Sequence, residues 1–106
     1  MAEVIWMPGA LEDIDAIASY IALDSTVRAR QQVLRILSAE ELLVPYPGGG
    51  HMVPEMRSRV YREVIIPPYR IIYHYVPKGG VVSILAVIHS KQQVRSRAVR
   101  KRRPGL

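Results

Sequence analysis

An α+β fold of β-α-α-β-β-β order, with an antiparallel sheet and a helical hairpin packed on one face, is predicted by three features of this sequence. Apolar residues recur at helical spacing in two windows between Pro8 and Leu43. Three runs rich in β-branched and aromatic residues follow from Val60 onward, separated by Pro and Gly. A short β-prone stretch stands before the first helical window, where it can join the sheet. Helices and strands segregated along the chain in this way suit a two-layer α+β arrangement.

Each element has its own local cause. Glu3-Val4-Ile5-Trp6 is apolar and β-prone and is ended by Pro8 and Gly9. Pro8 fits a first helical turn, where its missing N–H costs nothing. Leu11, Ile14, Ile17, Ala18 and Ile21 then form an apolar stripe, and Glu12, Asp13 and Asp15 are expected near the start of that helix, where its dipole favours negative charge. Asp24-Ser25-Thr26 supplies N-cap chemistry for a second helix with a stripe of Ala29, Val33, Ile36, Leu37 and Leu43. Pro45-Tyr46-Pro47 and Gly48-Gly49-Gly50 end it in a loop. Strands are expected over 60–66, 69–76 and 81–88, joined by Pro67-Pro68 and Pro77-Lys78-Gly79-Gly80 as a meander. Tyr69, Ile71, Tyr73 and Tyr75 share one face of the middle strand. Of the hairpin, Leu11, Ile14, Ile17, Ile21, Val33, Ile36 and Leu37 are expected to meet the sheet.

The chain has 106 residues, enough for one core, so a single domain over 1–106 is expected, with a basic C-terminal tail from about residue 91. Cys is absent, which excludes disulfides and thiolate metal sites. Met1 to Gly9 carry no basic segment leading into an apolar run, and no apolar stretch reaches the ~18 residues a membrane-spanning helix needs. A cytoplasmic protein is expected. The net charge of +6 is unevenly placed: residues 1–41 carry net −4, residues 42–106 net +10, and seven bases fall between Lys91 and Arg103. Such asymmetry implies an anionic partner for the C-terminal half, either nucleic acid or an acidic protein segment.

Several stretches, taken together, resemble the RelE/ParE superfamily of bacterial toxins from type II toxin–antitoxin systems. They are Trp6-Met7-Pro8-Gly9-Ala10 running into Leu11-Glu12-Asp13-Ile14, then Ile17-Ala18-Ser19-Tyr20-Ile21-Ala22, Val53-Pro54-Glu55-Met56, Tyr61-Arg62-Glu63-Val64, Pro68-Tyr69-Arg70-Ile71-Ile72-Tyr73 and Ile84-Leu85-Ala86-Val87-Ile88-His89. Their order covers nearly the whole chain to His89 and is most similar to ParE-type members. Met7 departs from the Ser or Thr that often precedes the helix Pro, and the tail is more basic than expected for the family. The resemblance implies a growth inhibitor of the plasmid-stabilisation type, neutralised by a cognate antitoxin that wraps its surface, with DNA gyrase as target. A homodimer or a toxin–antitoxin hetero-oligomer is expected, and no cofactor. If the chain instead resembles RelE-like members in activity, it cuts mRNA on the ribosome.

RNA cleavage needs a base, an acid and cations to stabilise a charged phosphorane. Arg70 matches the Arg of the Tyr-Arg-Ile strand in relatives, and His89 is the titratable group at the end of the last strand. Arg62, Lys91 and Glu55 are candidate helpers. Arg70 equally suits a cross-strand pair with Glu63, and His89 suits a strand-end bond to backbone. Lys91, Arg95, Arg97, Arg100, Lys101, Arg102 and Arg103 are the candidate contacts for a target or nucleic acid. His51 and His74 have no second ligand at metal-like spacing, so no metal site is expected. Tyr69, Tyr73 and Tyr75 suit core packing better than base stacking, and the glycine run does not clearly lead into a helix that could cradle phosphate.

Overall fold

The computed structural model describes residues 1–104. In chain order come β1 (Glu3–Trp6), α1 (Pro8–Ala22), α2 (Thr26–Leu37), α3 (Ala39–Leu43), β2 (His51–Met52), β3 (Tyr61–Ile66), β4 (Tyr69–Val76), a 3-10 turn at Pro77–Gly79, β5 (Val81–His89) and α4 (Ser96–Arg100). The strands form one sheet in the order β1-β5-β4-β3-β2. Strands β2 to β5 pair antiparallel, as the meander requires. β1 lies parallel to β5, with Glu3 opposite Val81 and Trp6 opposite Ile84, because the helical hairpin carries the chain across one face of the sheet after β1.

Local chemistry sets the helix ends. Pro8 stands in the first turn of α1, and Met7 caps it without a side-chain bond. The Oγ of Ser25 accepts from the Arg28 amide at 3.1 Å and so caps α2. The second helix was expected to run on to Leu43, but it stops at Ser38. That hydroxyl donates to the Arg35 carbonyl at 2.5 Å, a local bond that competes with the helical ladder, and α3 restarts at Ala39. The acids of α1 also sit later than expected: no acid lies in its first turn, since Glu12 and Asp13 belong to the second.

Helices cover one sheet face. Ala10, Ile14, Ile36, Ala39 and Leu43 pack on Ile71, Tyr73, Val82, Ile84 and Val87, with Ile17, Val33, Tyr69 and Tyr75 partly buried around them. Leu11 and Leu37 were expected in this layer and are 49% and 37% exposed. Ala10 and Ile36, each fully buried, take the inward position one residue earlier, which turns the following leucine about 100° away around the helix.

The opposite face is buried as well. Val53 and Met56 from the segment after β2, and Val94 and Val99 from the C-terminal segment, close over Tyr61, Ile72, Leu85 and Ala86. The stretch expected as a basic tail is therefore folded against the sheet through α4, as far as the described residues go; residues 105 and 106 lie outside them. A bulge in β5 serves this face. Ile72 pairs with Ala86 and Tyr73 with Ile84, which leaves Leu85 as an extra residue, so Leu85 and its neighbour Ala86 both belong to the second core.

Two arginines help to fasten the C-terminal segment. Arg102 pairs with Asp13 of α1 at 2.8 Å and donates to the Leu85 carbonyl at 3.1 Å, while the same Asp13 oxygen accepts the Val87 amide at 3.0 Å. These groups lie beyond Trp6, where the ladder between β1 and β5 has ended. The Arg102 side chain passes Gly9 so closely that a Cβ there would stand 2.6 Å from its Cδ and Nε. Arg100 donates to the Met56 carbonyl at 2.6 Å and lies 4.7 Å over the Tyr61 ring.

Candidate functional site

Arg70 projects from β4 toward the face opposite the helices and is 8% exposed. Its neighbours Tyr69 and Ile71 face the helices, so strand alternation alone sends it there. Glu63, from the paired strand β3, accepts from its Nε at 2.6 Å and its Nη2 at 3.0 Å. Glu55, from the segment after β2, accepts from Nη1 and Nη2, both at 2.9 Å. The Gln92 carbonyl accepts from Nη1 at 3.3 Å. A guanidinium has five N–H donors, and this one spends all five within the chain.

The electrostatics follow from that geometry. Hydrogen bonds from Arg70 are the largest influence on Glu55 and, against the opposing effect of burial, hold its carboxyl down at about 2. Bonds to Glu55 and then Glu63 raise the Arg70 guanidinium above its ordinary value. Glu55 also accepts the Val94 amide at 3.1 Å, so the cluster ties β3, β4, the segment after β2 and the C-terminal segment together. Glu55 and Glu63 are the only acids after residue 41. Both are engaged by Arg70.

His89 lies elsewhere. It pairs with Tyr69 in the β4–β5 ladder and meets that ring edge-on at 5.9 Å, on the helix side of the sheet. Its amide donates to the Gln92 side chain at 2.9 Å, and its Nδ1 accepts the Lys91 amide at 3.2 Å. Beside it an open groove of about 520 Å³ is lined by Ile17, Tyr20, Tyr69, Val87 and Gln92. Burial raises the Tyr69 phenol above its ordinary value.

The structure thus brings Arg70 and Glu55 together, sets Lys91 next to His89, and places Arg70 and His89 on opposite faces of the sheet. Arg62 is apart from both, its Nη1 donating to the Gly50 carbonyl at 3.0 Å. Of the C-terminal bases, Arg100, Arg102 and Arg103 contact the protein body, Arg103 reaching the Tyr61 hydroxyl at 3.5 Å. Lys91, Arg95, Arg97 and Lys101 are exposed. Burial, and then the Arg103 charge, push His74 below its ordinary value.

The packing role of one residue in the glycine run escaped the sequence reading. Gly50 is buried, donates its amide to the Tyr73 hydroxyl at 2.9 Å, and has no room for a Cβ, which would stand 2.5 Å from that hydroxyl and 2.6 Å from the Glu63 carbonyl. Its place as the last of three glycines before β2 was the available signal.

A mixed sheet with its helical hairpin, a β3–β4 cluster built on the Tyr-Arg-Ile strand and a last strand ending in His fit the RelE/ParE-like fold that the sequence resemblance implies. The sequence profile described as "ParE toxin of type II toxin-antitoxin system, parDE" matches residues 4–94. The chain belongs to this family of type II toxin–antitoxin toxins. It is 36% identical over 91 residues to "Toxin RelE2" of Caulobacter vibrioides, an alignment spanning 85% of this chain and 97% of that protein. A solved structure titled "Chromosomal ParDE TA system from P. aeruginosa" superposes with a TM-score of 0.70 at 21% identity, over 86% of this chain and 98% of that one. Membership of a toxin–antitoxin system implies a cognate antitoxin as partner. No helix among the described residues is long and apolar enough to cross a membrane.

Proposed function

We propose that this toxin arrests growth by binding its target rather than by cutting RNA, with DNA gyrase as that target and the cytoplasm as its place of action. The observation that carries the reading is the state of Arg70. A cation that stabilises a phosphorane must have donors free to meet it, and the Arg70 donors are taken by Glu55, Glu63 and a backbone carbonyl. His89 stands on the other face of the sheet, so the two side chains do not converge on one reacting phosphate. Resemblance to ParE-type members supplies gyrase as the target. The antitoxin, in this reading, docks on the helical hairpin, where Tyr20, Leu23, Val27 and Leu34 are more than half exposed around a shallow groove lined by Ala18, Ala22, Ala29 and Val33.

Two assays on the purified chain test this. With gyrase and relaxed plasmid, the protein should block supercoiling; with programmed ribosomes, it should leave the mRNA intact. Cleaved mRNA that disappears with His89→Ala would transfer the assignment to ribosome-dependent endonuclease. Induction in a bacterial host should halt growth, and co-expression of the antitoxin should restore it.

A further inference from the structure

Charge in this protein is sorted by layer. The acids Glu12, Asp15, Asp24, Glu40 and Glu41 are exposed on the helices and the short turn between α1 and α2. On the other side of the sheet, the segment after β2 and the C-terminal segment contribute Glu55 as their acid, and it is bound to Arg70. Their exposed bases are Arg57, Arg59, Lys91, Arg95, Arg97 and Lys101, which form no ion pair among the described residues. Nor are these bases on a floppy tail. Val94 and Val99 are in the core, Arg100 holds the Met56 carbonyl, and Arg102 is locked to Asp13. The bond from Arg100 joins the two segments, so Arg57 and Arg59 are held close to α4.

We infer that this layer binds the phosphate backbone of duplex DNA through Arg57, Arg59, Arg95, Arg97 and Lys101. The inference is independent of the toxin's target. Single strands are held largely by stacking on exposed aromatic rings, and this layer offers none: Tyr61 is 1% exposed. A protein segment would need apolar anchors, and most of the exposed large apolar side chains lie on the helix layer, at Leu11, Tyr20, Leu23, Val27, Leu34, Leu37 and Leu42, while the other side of the sheet exposes Ile5, Ile65 and Val76 on its strands and none on the two segments that carry the bases. Of the nearby side chains that could read a ribose 2′-hydroxyl, Ser96 is engaged by Arg100 and Gln92 by the His89 amide, so the exposed bases outnumber the polar groups left to read a sugar, Ser90 and Gln93. What remains is a set of fixed cations, the chemistry that replaces counterions along a duplex.

Fluorescence anisotropy with the full chain and a labelled 24-base-pair DNA duplex, titrated at several KCl concentrations, tests the proposal. If four phosphates are neutralised, affinity falls about a hundredfold between 50 and 200 mM salt, and Arg97→Gln with Lys101→Gln reduces that fall to about tenfold. Arg30→Gln with Arg35→Gln removes the same charge from the helix layer and should leave binding nearly unchanged. Should the first pair lose its cooperative thermal transition, Arg59→Gln with Arg95→Gln replaces it. No binding at 50 mM salt overturns the proposal, as does equal loss in the helix-layer pair. Single-stranded DNA, duplex RNA or polyglutamate binding as tightly as the DNA duplex also overturns it; the polyglutamate result would give the layer to an acidic antitoxin segment.

Discussion

Replacing Arg70 by Met should destabilise the fold severely, and the structure gives both the size and the cause. The substitution keeps much of the stem but removes five donors, leaving Glu63, 6% exposed, without either of its side-chain hydrogen bonds. Glu55 would keep the Val94 amide alone. Removing one member of a buried ion pair costs about 3–5 kcal/mol, because the stranded charge stays desolvated. A small domain has only about 5–15 kcal/mol in total, so the variant should be near the limit of folding. At this chain length a loss of that size corresponds to a drop of about 12–20 °C in Tm. Urea denaturation followed by circular dichroism measures it. A second variant isolates the cause: Arg70→Met, Glu63→Leu and Glu55→Gln together remove the charges with the cation, and should recover most of the loss. A single-variant cost below about 1 kcal/mol would refute the idea that the cluster is desolvated. A triple variant as unstable as the single would show that packing, not stranded carboxylates, is responsible. It follows that lost toxicity in an Arg70 variant says nothing about catalysis until its folding has been measured.

Acid should expose the same cluster: since the folded protein holds Glu55 at about 2 against an ordinary value of 4.5, its contribution is complete above about pH 4.5 and drains away as pH falls toward 2. A urea midpoint measured across that window should decline, and Glu55→Gln should flatten part of the decline; parallel curves would remove Glu55 from the account. Gly50→Ala should cost about 1–3 kcal/mol, an overpacking penalty, because the Glu63 carbonyl it would strike is backbone in a strand; a wild-type melting temperature would show that β2 can shift. Ile36→Ala, emptying a fully buried site between hairpin and sheet, should cost about 2–5 kcal/mol in the same denaturation assay, and a loss under 1 kcal/mol would mean the layers close over the gap.

Much of the fold was legible because its signals are local. Ser25 caps the helix it precedes, and β-branched runs mark β3, β4 and β5 to within a residue or so. The missed pieces depend on partners distant in sequence. β2 is two residues long and exists because Gly50 admits Tyr73 and the β3 backbone. α4 has a charge-rich sequence, Ser-Arg-Ala-Val-Arg, that reads as solvated until Val99 meets a core made mostly of residues 53–86. At the candidate site, the cross-strand pairing of Arg70 with Glu63 follows from hairpin register, and that is one of the two roles the sequence allowed it. The bidentate grip of Glu55 does not, since it requires knowing how the segment after β2 folds back. Nor could the sequence show that Arg70 and His89 diverge, because the face each occupies depends on the register of β4 against β5.

The bridge between Asp13 and Arg102 also bears on how the molecule avoids its own kind. A strand stretch with unpaired amides and carbonyls invites pairing with a second chain. β1 is only four residues long and leaves the later half of β5 without a neighbour on that side. Asp13 takes the Val87 amide and Arg102 the Leu85 carbonyl, so two side chains complete a ladder that backbone has abandoned. Two of the groups an added strand would need along β5 are thus occupied by a device with no strand in it. The same device sets a demand on three distant positions at once, since Arg102 reaches its carbonyl only by passing a residue with no side chain at Gly9. A side chain added at Gly9 would press on the far end of Arg102, so the cost of such a change is read in the grip of Arg102 on β5 rather than in the helix that carries the glycine.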